Sequence, residues 1–357
     1  MHVTSMEVRR FRNIERAVLT PCEGMNILYG DNAHGKTNLL EGLWLATGGK
    51  SFRKAKDSEL VGFGQKDAEV KVSFYAAGRG QQATLKVSTR RSATLNGVPL
   101  KSASKLMGVF CAVIFSPDHL SLIKDGPEER RRFLDAACCQ LRPLFVPCLL
   151  QYTRILSQRN ALIKAVKKGE AVMDPILMDA FDERLAQSGE EVRRFRREYV
   201  ETLTPFVAST YDGLSGGREA MTVHYETVGG EGDLYAALKG SRAADLRAGF
   251  TTVGPHRDDL EVFIGGNPAR AFASQGQQRS AVLSLKLAEA TLLANGYGEK
   301  PVILLDDVMS ELDRSRQEYI LNHIEGFQVF ITCCEPTAVR QLTGGKVFHM
   351  ENGQLTG

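Results

Sequence analysis

The chain has 357 residues, of which 43% are hydrophobic and 24% charged, and its formal net charge is +3. These values are ordinary for a globular protein, and so small a net charge does not by itself indicate nucleic-acid binding. The sequence has no run of 18 apolar residues to span a membrane, no apolar signal-peptide core and no zinc-type cysteine spacing. We therefore expect a cytoplasmic protein with no membrane partner, built as two domains or as one large α/β domain with an inserted lobe.

The first 37 residues predict strands followed by a phosphate-binding loop. After a predicted strand at 25–29, residues 30–37 fit the P-loop pattern G-x-x-x-x-G-K-[ST], and helical spacing of apolar residues follows over 37–46. Backbone N–H groups and a helix N-terminus in this arrangement bind the phosphates of a nucleoside triphosphate. The loop residues are Gly30, Asp31, Asn32, Ala33, His34, Gly35, Lys36 and Thr37. Lys36 is predicted to be catalytic, since it brings a full charge to phosphate, and Thr37 to bind Mg²⁺.

Two segments beside this loop have less distinctive patterns. From spacing alone, Arg12 and Asn13 form a solvated turn between two strands. Residues 48–54, after the predicted helix, form a flexible basic segment that could reach a bound nucleotide or DNA.

The middle of the chain changes from strand to helix. Residues 68–100 are β-rich with a hairpin at Asn96 and Gly97, and 108–115 form a continuous apolar run typical of a core strand. From about residue 117 to 212 the periodicity is helical. Three helices are predicted, at 128–140, 144–168 and 176–211, broken by Pro143, Pro175 and Pro205.

Two charged segments in the second half of the chain permit both structural and functional interpretations. Residues 190–197 place acids and bases at helix-pairing distance, which favours a solvated helix face over a DNA-facing stripe. Residues 253–259 contain a histidine, an arginine and two aspartates. A turn leading into a strand at 260–264 is a sufficient account of them, since contiguous residues in one turn define no metal geometry.

A second acidic element completes the nucleotide site. Residues 302–305 are four consecutive aliphatics followed by Asp306 and Asp307, which predicts a strand buried on both faces that ends in two acids. Asp306 is the predicted magnesium residue. Asp307, beside it, is the predicted catalytic residue that orients or deprotonates the attacking water. The alternative is that the two aspartates only cap a helix.

A third element indicates which class of P-loop protein this is. Ser274, Gly276 and Gln277 precede an apolar helix at 280–295 and lie about 30 residues before Asp306, which resembles the S-x-G-Q signature of ABC-type ATPases. Residues 310–313 resemble the D-loop of the same superfamily. The resemblance implies that two protomers enclose two ATP molecules, and that the Ser274 loop acts in trans on ATP bound to the partner.

Other features argue against a transporter subunit. Residues 214–218 look like the transporter spelling of the signature, but they lie far before Asp306 and lead into a strand pattern, so we interpret 213–218 as a loop. No glutamine lies between Cys111 and Leu120, where a Q-loop is expected. Thr332, Cys333 and Cys334 stand where transporters have a switch histidine. The sequence therefore does not identify the residues that sense the γ-phosphate.

With these motifs in order, the chain resembles, from end to end, the RecF family of bacterial recombination and replication-repair proteins, which are SMC/Rad50-like ABC ATPases. The P-loop and the acidic strand are common, whereas the full set in this order is specific. The resemblance rests on residues 11–14, the P-loop with 38–41, 51–53, 115–118, 126–127, 130–135, 254–259, 304–307 and 310–313.

The resemblance implies an α/β fold: an ABC-type ATPase head, with a mixed sheet and the P-loop, plus a mainly helical second lobe. Lobe I is expected at 1–116 and 265–357, and lobe II at 117–264. It further implies ATP and Mg²⁺ as cofactors and makes Arg12 and Asn13 nucleotide contacts rather than a solvated turn.

Its functional implications concern DNA. The family resemblance implies a slow, DNA-stimulated ATPase that forms an ATP-dependent homodimer on double-stranded and gapped DNA. It implies cooperation with RecR and, functionally, with RecO and RecA at single-strand gaps, in replication, recombinational repair and the SOS response. The competing hypotheses are an ATP-hydrolysing subunit of a membrane transporter and a stand-alone P-loop kinase or phosphohydrolase.

Overall fold

The computed structural model describes residues 1–230, 232–336 and 344–356. In chain order the strands are β1 (His2–Phe11), β2 (Ile14–Leu19), β3 (Met25–Tyr29), β4 (Ala68–Ala76), β5 (Arg79–Val87), β6 (Arg91–Leu95), β7 (Val98–Pro99), β8 (Ala112–Phe115), β9 (Met221–Glu226), β10 (Asp259–Ile264), β11 (Asn267–Pro268), β12 (Val302–Leu305), β13 (Val329–Cys333), β14 (Lys346–Glu351) and β15 (Gln354–Thr356). The α-helices are α1 (Lys36–Leu45), α2 (Asp57–Leu60), α3 (Ser121–Lys124), α4 (Pro127–Leu141), α5 (Phe145–Lys167), α6 (Pro175–Ser215), α7 (Leu234–Ala248), α8 (Ala269–Phe272), α9 (Gln275–Tyr297) and α10 (Arg314–His323). No described helix is long and apolar enough to cross a lipid bilayer.

A mainly parallel sheet positions the candidate site. Its strand order is β15-β14-β3-β13-β12-β8, and only the β14–β15 pair is antiparallel. Every residue of β12 and β13 is buried, as expected for central parallel strands covered on both faces. Because β13 pairs with β3 on one side and with β12 on the other, the carboxyl ends of these three strands meet at one edge. The P-loop follows β3 and Asp306 follows β12 at that edge.

An antiparallel sheet covers the P-loop helix. Its strand order is β2-β1-β4-β5-β6-β7, and the hairpin predicted at Asn96 and Gly97 joins β6 to β7. Burial alternates along β4, so that one face of this sheet is apolar. Val70, Val72 and Phe74 from that face share one hydrophobic cluster with Leu39 and Leu43 of α1. This packing holds the helix that follows the P-loop.

The long helix α6 is continuous through Pro205, so the predicted break there is wrong. A proline inside a helix costs about 3 kcal/mol through a lost hydrogen bond and a clash. Val200, Leu203 and Val207 are all buried on one face around it, and each such side chain contributes about 1.5–3 kcal/mol. Burial therefore outweighs the local penalty. The breaks predicted at Pro143 and Pro175 are confirmed, since Pro143 lies between α4 and α5 and Pro175 begins α6.

The described chain divides into two units by its contacts. Unit 1 comprises Met1–Leu120, Ser209–Arg218 and Arg279–Gly357, and unit 2 comprises Ser121–Ala208 and Glu219–Gln278. Two of the four chain positions at which the units divide, 208/209 and 278/279, fall within α6 and α9. The bounds expected from the sequence, 1–116 with 265–357 and 117–264, stay a prediction.

The charge run at 190–197 is partly exposed and partly buried within unit 2. The solvated-face interpretation is correct for Arg194, which is exposed and pairs with Glu191 and Glu198, but wrong for Arg193 and Arg196. The physical reason is that both buried guanidinium groups have carboxylate partners. Arg193 pairs with Asp258 at 2.9 Å, and Arg196 pairs with Asp135 at 2.7 Å. A sequence cannot distinguish an arginine that finds a buried partner from one that faces water.

The predicted turn at 253–259 is held by the same kind of pairing. Asp259 accepts two hydrogen bonds of 2.7 Å from Arg130, and Tyr152 Oη lies 2.6 Å from His256 Nδ1. The histidine and the aspartates of this segment thus have structural partners, as the sequence interpretation favoured.

Candidate nucleotide-binding site

The P-loop connects β3 to α1 through a tight, glycine-dependent turn. Gly30 has φ 146° and Gly35 has φ 109°, values that side chains rarely tolerate. A Cβ atom at Gly30 would lie 2.1 Å from the carbonyl oxygen of Met350. The strand, loop and helix that the sequence predicted are therefore all present, and glycine is required where the pattern has it.

Lys36 folds back onto the loop. Its Nζ donates to the carbonyl oxygens of Gly30 at 2.6 Å and Asp31 at 3.0 Å, and the residue is 4% exposed. In the described part of the chain no carboxylate forms an ion pair with this ammonium group. A buried, unneutralised cation enclosed by backbone is well suited to phosphate oxygens.

His34 has a polar atom without a partner in this loop. Its Nδ1 is buried and makes no hydrogen bond to any described residue. Buried polar atoms of this kind are rare, and each needs an explanation such as a ligand. The loop therefore fits a polar ligand such as a nucleotide.

Thr37 and Asp306 come together as predicted. Thr37 Oγ1 donates to Asp306 Oδ1 at 2.8 Å, and Thr332 Oγ1 donates to the same oxygen at 3.0 Å. Burial raises the pKa of Asp306, while these two hydrogen bonds act in the opposite direction. The role of Thr37 and Asp306 as magnesium ligands stays a prediction, and Thr332 was not anticipated as part of this cluster.

The donor set fits Mg²⁺. A hydroxyl and a carboxylate are hard oxygen donors, and Mg²⁺ typically takes one or two carboxylates together with substrate phosphates. Among the described residues there is no group of three or more His, Cys, Asp or Glu side chains that could hold an ion unaided. The protein thus offers part of a coordination sphere, which phosphate oxygens would complete.

Asp307 has an unusual backbone conformation. Its φ is 52°, in the left-handed region that non-glycine residues rarely adopt. Its N–H donates to Thr332 Oγ1 at 2.8 Å, and its carbonyl oxygen accepts from Ser310 Oγ at 2.8 Å. Strained backbone of this kind clusters at functional sites. The catalytic role predicted for Asp307 stays a prediction.

Asn13 contacts the P-loop directly, whereas Arg12 is bound elsewhere. Asn13 Nδ2 donates to the carbonyl oxygen of Ala33 at 3.0 Å. Arg12 donates to both carboxylate oxygens of Glu41, at 2.5 and 3.0 Å. Ser51 Oγ donates to Glu41 Oε1 at 2.5 Å, so the segment 48–54, predicted to be flexible, is anchored at its centre. The nucleotide contacts of Arg12 and Asn13 stay predictions.

Glu41 is a residue that sequence reasoning did not assign. It is fully buried on α1 and joins the turn containing Arg12 to the segment containing Ser51. The available signal was a carboxylate on the apolar face of the predicted P-loop helix. Such a group requires a buried cationic or hydrogen-bonding partner.

The Ser274 loop caps the helix α9. Ser274 Oγ accepts from the Gln277 N–H at 3.3 Å, and the Ser274 N–H donates to Gln277 Oε1 at 2.7 Å, which is a capping box. The helix begins at Gln275, earlier than the predicted 280. Ser274 is exposed and Gly276 half-buried at this helix N-terminus. Their action in trans stays a prediction.

The second signature-like segment has the opposite polarity. The helix α6 ends at Ser215, two residues beyond the predicted start of a loop at 213, and Gly216 and Gly217 follow with φ 66° and 72°. Glycines in this conformation terminate helices, so the segment presents a helix C-terminus, whose partial charge is negative. It is therefore unsuited to phosphate.

The switch and Q-loop positions are filled by other residue types. Cys334 Sγ lies 3.3 Å from Asn32 Oδ1 in the P-loop, and burial raises the pKa of Cys333 to about 11. After β8, His119 Nδ1 accepts from the Ser116 N–H at 3.1 Å, and burial holds the pKa of His119 well below its usual range.

Comparisons with known proteins identify the family. A family model described as the RecF/RecN/SMC N terminal domain matches residues 2–355. The chain is 38% identical to the DNA replication and repair protein RecF of Lachnoclostridium phytofermentans, over 93% of this chain and 92% of that protein. The chain belongs to the RecF family. A second RecF-family relative, from Agathobacter rectalis, is 37% identical over 99% of each chain. This membership decides against the transporter subunit.

Solved structures agree with the RecF assignment. A structure described as the recombination mediator protein RecF with ATP in the RecFOR pathway is similar to this chain, with a TM-score of 0.92 and 37% identity. That match covers 99% of this chain and 97% of the other. An Smc head domain from Pyrococcus furiosus, at 17% identity and a TM-score of 0.56, shares the fold. The predicted fold class, an ABC-type ATPase head with a mainly helical second lobe, is confirmed.

Proposed function

We propose that this protein is an ATP-dependent DNA-binding protein that dimerises on DNA with ATP. With recombination mediators, it would help load recombinase at single-strand gaps in replication, recombinational repair and the SOS response. The observation that carries the proposal is the meeting of Lys36, Thr37, Asp306 and Asp307 at one edge of the parallel sheet. Two further findings support it: the relatives' name, DNA replication and repair protein, and the RecF structure described with ATP.

Nucleotide binding would begin at the P-loop. The backbone N–H groups of residues 30–37 and the N-terminus of α1 would hold the phosphates. Lys36 would exchange its two carbonyl partners for phosphate oxygens, which bind an ammonium group more strongly because they are charged. Thr37 and Asp306 would hold Mg²⁺, which neutralises phosphate charge when bound.

Hydrolysis would depend on Asp307. Its side chain is half-buried, at the end of β12 and next to Asp306, so its carboxylate can accept a proton from a water molecule or orient that water. We propose a slow, DNA-stimulated ATPase, in which hydrolysis ends the ATP-bound state.

Dimerisation would depend on the helix N-terminus at Ser274. Ser274 caps a helix of 23 residues, and Gly276 and Gln277 lie in its first turn, where the helix N-terminus carries partial positive charge. Ser274 is exposed, so a second protomer can approach it. The γ-phosphate bound by one protomer would meet this loop of the other, and dimer affinity would then depend on the nucleotide state.

The partners proposed are double-stranded and gapped DNA, RecR and, functionally, RecO and RecA. Lysine and arginine contacts with phosphate give an affinity that is largely independent of sequence and falls with salt. Because dimerisation would require bound ATP, the affinity for DNA would depend on ATP binding.

The test is ATP turnover measured without DNA, with duplex DNA and with gapped DNA, each at two salt concentrations. We expect DNA to stimulate turnover and to promote dimers only when ATP is present. Stimulation should weaken at the higher salt concentration. Turnover that depends on a small-molecule acceptor and ignores DNA would instead support a kinase or phosphohydrolase, and would refute this proposal.

A further inference from the structure

The hydroxyl of Thr332 joins the two aspartates that follow β12. Thr332 lies in β13 and is 1% exposed. It donates to Asp306 Oδ1 at 3.0 Å and accepts from the Asp307 N–H at 2.8 Å. A backbone N–H can only donate and a carboxylate can only accept, so both hydrogen-bond directions are determined. This side chain is therefore committed to the two residues at once.

The strand register explains why Thr332 reaches both groups. Leu305, the last residue of β12, pairs with Ile331 on β13, so Thr332 is one residue beyond that pair. Asp306 and Asp307 leave β12 at the same level. Thr332 is the polar residue among aliphatic and aromatic neighbours in the buried run 329–332. Valine has nearly the same shape and suits a buried strand, so packing alone does not require the hydroxyl.

The contact with Asp307 acts on its backbone. Asp307 has φ 52°, and left-handed backbone persists in a non-glycine residue only where its surroundings hold it. Thr332 binds the N–H of Asp307, and Ser310 Oγ binds its carbonyl oxygen. These two hydroxyls hold the peptide groups on either side of the Asp307 Cα atom. They thereby fix the direction in which the Asp307 side chain leaves the backbone.

The contact with Asp306 acts on its carboxylate. Oδ1 accepts from Thr37 and from Thr332, so two hydroxyls on different elements hold one oxygen. Among the described residues, no group donates to the other oxygen, Oδ2. The carboxylate is thus oriented through one atom while the second stays available.

We propose that Thr332 is a positioning residue for ATP hydrolysis, which orients the Asp306 carboxylate and holds the Asp307 backbone in its left-handed conformation. This inference rests on the proposed ATPase function. It assigns a role at the position where transporter ATPases have their switch segment, and the role is carried out by a hydroxyl that touches the two acids rather than the nucleotide.

The test compares Thr332→Val, which removes the hydroxyl at similar volume, with Thr332→Ser, which keeps it. Thr210→Val is the matched control, because it removes a buried hydroxyl from α6. Three kinds of measurement are made on each variant. They are the kinetics of ATP turnover (kcat and KM), the affinity for a fluorescent ATP analogue with Mg²⁺ and with EDTA, and the unfolding midpoint without nucleotide.

We expect Thr332→Val to lower kcat by between about 10- and 100-fold, the range for a small misplacement of catalytic groups. Its affinity in EDTA should stay close to wild type, because the P-loop is intact, whereas the gain in affinity from Mg²⁺ should shrink. Thr332→Ser should restore most of kcat and of the Mg²⁺ effect. Thr210→Val should leave both unchanged.

Wild-type kcat in Thr332→Val would overturn the inference, as would equal loss of kcat in Thr332→Ser and Thr332→Val. A drop in unfolding midpoint with unchanged kcat and Mg²⁺ response would assign Thr332 a structural role only. If the valine variant does not fold, Thr332→Ala is compared with Thr332→Ser in the same way. Absence of ATP turnover in the wild-type chain would instead refute the proposed function itself, and this inference with it.

Discussion

Thr37 Oγ1 donates a hydrogen bond of 2.8 Å to Asp306 Oδ1, although 269 residues separate them in the chain. The contact exists because β13 lies between β3 and β12, so that the P-loop and the acidic strand end at the same edge of the sheet. It makes two distant motifs into one site. The candidate site therefore depends on the strand order of the sheet as much as on either motif.

Replacing Lys36 by arginine should separate nucleotide binding from turnover. The ammonium group is nearly buried and shared between two carbonyl oxygens, a space that a longer planar guanidinium group cannot occupy in the same way. The charge is kept, so some nucleotide affinity should remain. We expect ATP turnover to fall at least about 100-fold, which is the effect of losing one well-placed donor.

The measurement is steady-state ATP turnover beside nucleotide affinity by fluorescence. Lys86→Arg, at an exposed lysine on β5, is the control and should leave turnover unchanged. Wild-type turnover in Lys36→Arg would mean that the P-loop assignment is wrong.

Replacing Asp307 by asparagine should strongly slow ATP hydrolysis and preserve nucleotide binding. Asparagine tolerates left-handed backbone, so the conformation at φ 52° should be kept while the carboxylate is lost. Turnover should fall about 100-fold or more, and nucleotide affinity should change little. The control is Asp67→Asn, which removes a carboxylate that pairs with Arg10 on the surface. Dimers measured with ATP should last longer in the Asp307 variant; full turnover would remove Asp307 from the mechanism.

Replacing Ser274 by arginine should block ATP-dependent dimers. The change removes the helix cap, worth about 1 kcal/mol locally, and adds a bulky cation at the helix N-terminus. Light scattering with ATP should detect monomers only, while nucleotide binding by the monomer stays close to wild type. Ser157→Arg makes the same replacement at an exposed position of α5 and should leave dimers intact. If Ser274→Arg still formed dimers, the loop would not act in trans.

Several parts of this structure could be predicted because their signals are local. The P-loop, the four-residue aliphatic strand β12 and the hairpin at Asn96 each need only a few neighbouring residues to be recognised. Ser274 could be chosen over Ser215 because the sequence after each differs, a helix in one case and a strand in the other. The helix polarity at the two positions agrees with that choice.

The parts that could not be predicted depend on contacts between distant residues. The sequence placed Thr332 only in the segment that stands where transporters have a switch histidine, and its contacts with the two aspartates become visible only when β13 is placed beside β12. Arg193 lay in a run typical of a solvated helix, yet its partner Asp258 is 65 residues away. Periodicity indicates which face of a helix or strand a residue lies on, but it does not indicate which residues pack against that face.

A buried arginine should contribute strongly to the stability of unit 2. Arg159 is fully buried and donates to Asp182 and Asp245, each at 2.7 Å. Arg159→Met would leave Asp245 without an ion-pair partner among the described residues, and Asp182 with Arg242 alone. Breaking a buried ion pair by removing one partner typically costs about 3–5 kcal/mol. We expect a clearly lower urea midpoint for the transition that reports on unit 2.

The matched control is Arg194→Met. Arg194 also pairs with two carboxylates, Glu191 and Glu198, but all three side chains are largely exposed. Exposed pairs are screened by water, so this variant should shift the midpoint little. Equal shifts in the two variants would contradict the argument from burial.

His256 should make stability depend on pH between about 6.5 and 4. Burial is the main cause that lowers its pKa to about 4, and the nearby charges of Arg257 and Arg131 act in the same direction. Its Nε2 lies 2.9 Å from the carbonyl oxygen of Thr251, which only accepts, so Nε2 carries the proton of the neutral ring. In this window the unfolded chain binds a proton that the folded chain does not. Stability should therefore rise with pH, by at most about 3 kcal/mol from this group.

The measurement is the free energy of unfolding from pH 4 to 7 for wild type and His256→Gln, where glutamine keeps a donor and an acceptor without a titrating ring. His224→Gln, at an exposed position of β9, is the control. Asp135 and Glu289 are acids whose pKa is raised by desolvation, and they act in the opposite sense. The slope of each variant is therefore compared with the wild-type slope, to which these acids contribute equally. The slope with pH should be shallower in His256→Gln than in wild type and unchanged in His224→Gln. A slope unaffected by His256→Gln would show that His256 does not stay neutral in the folded protein through this range.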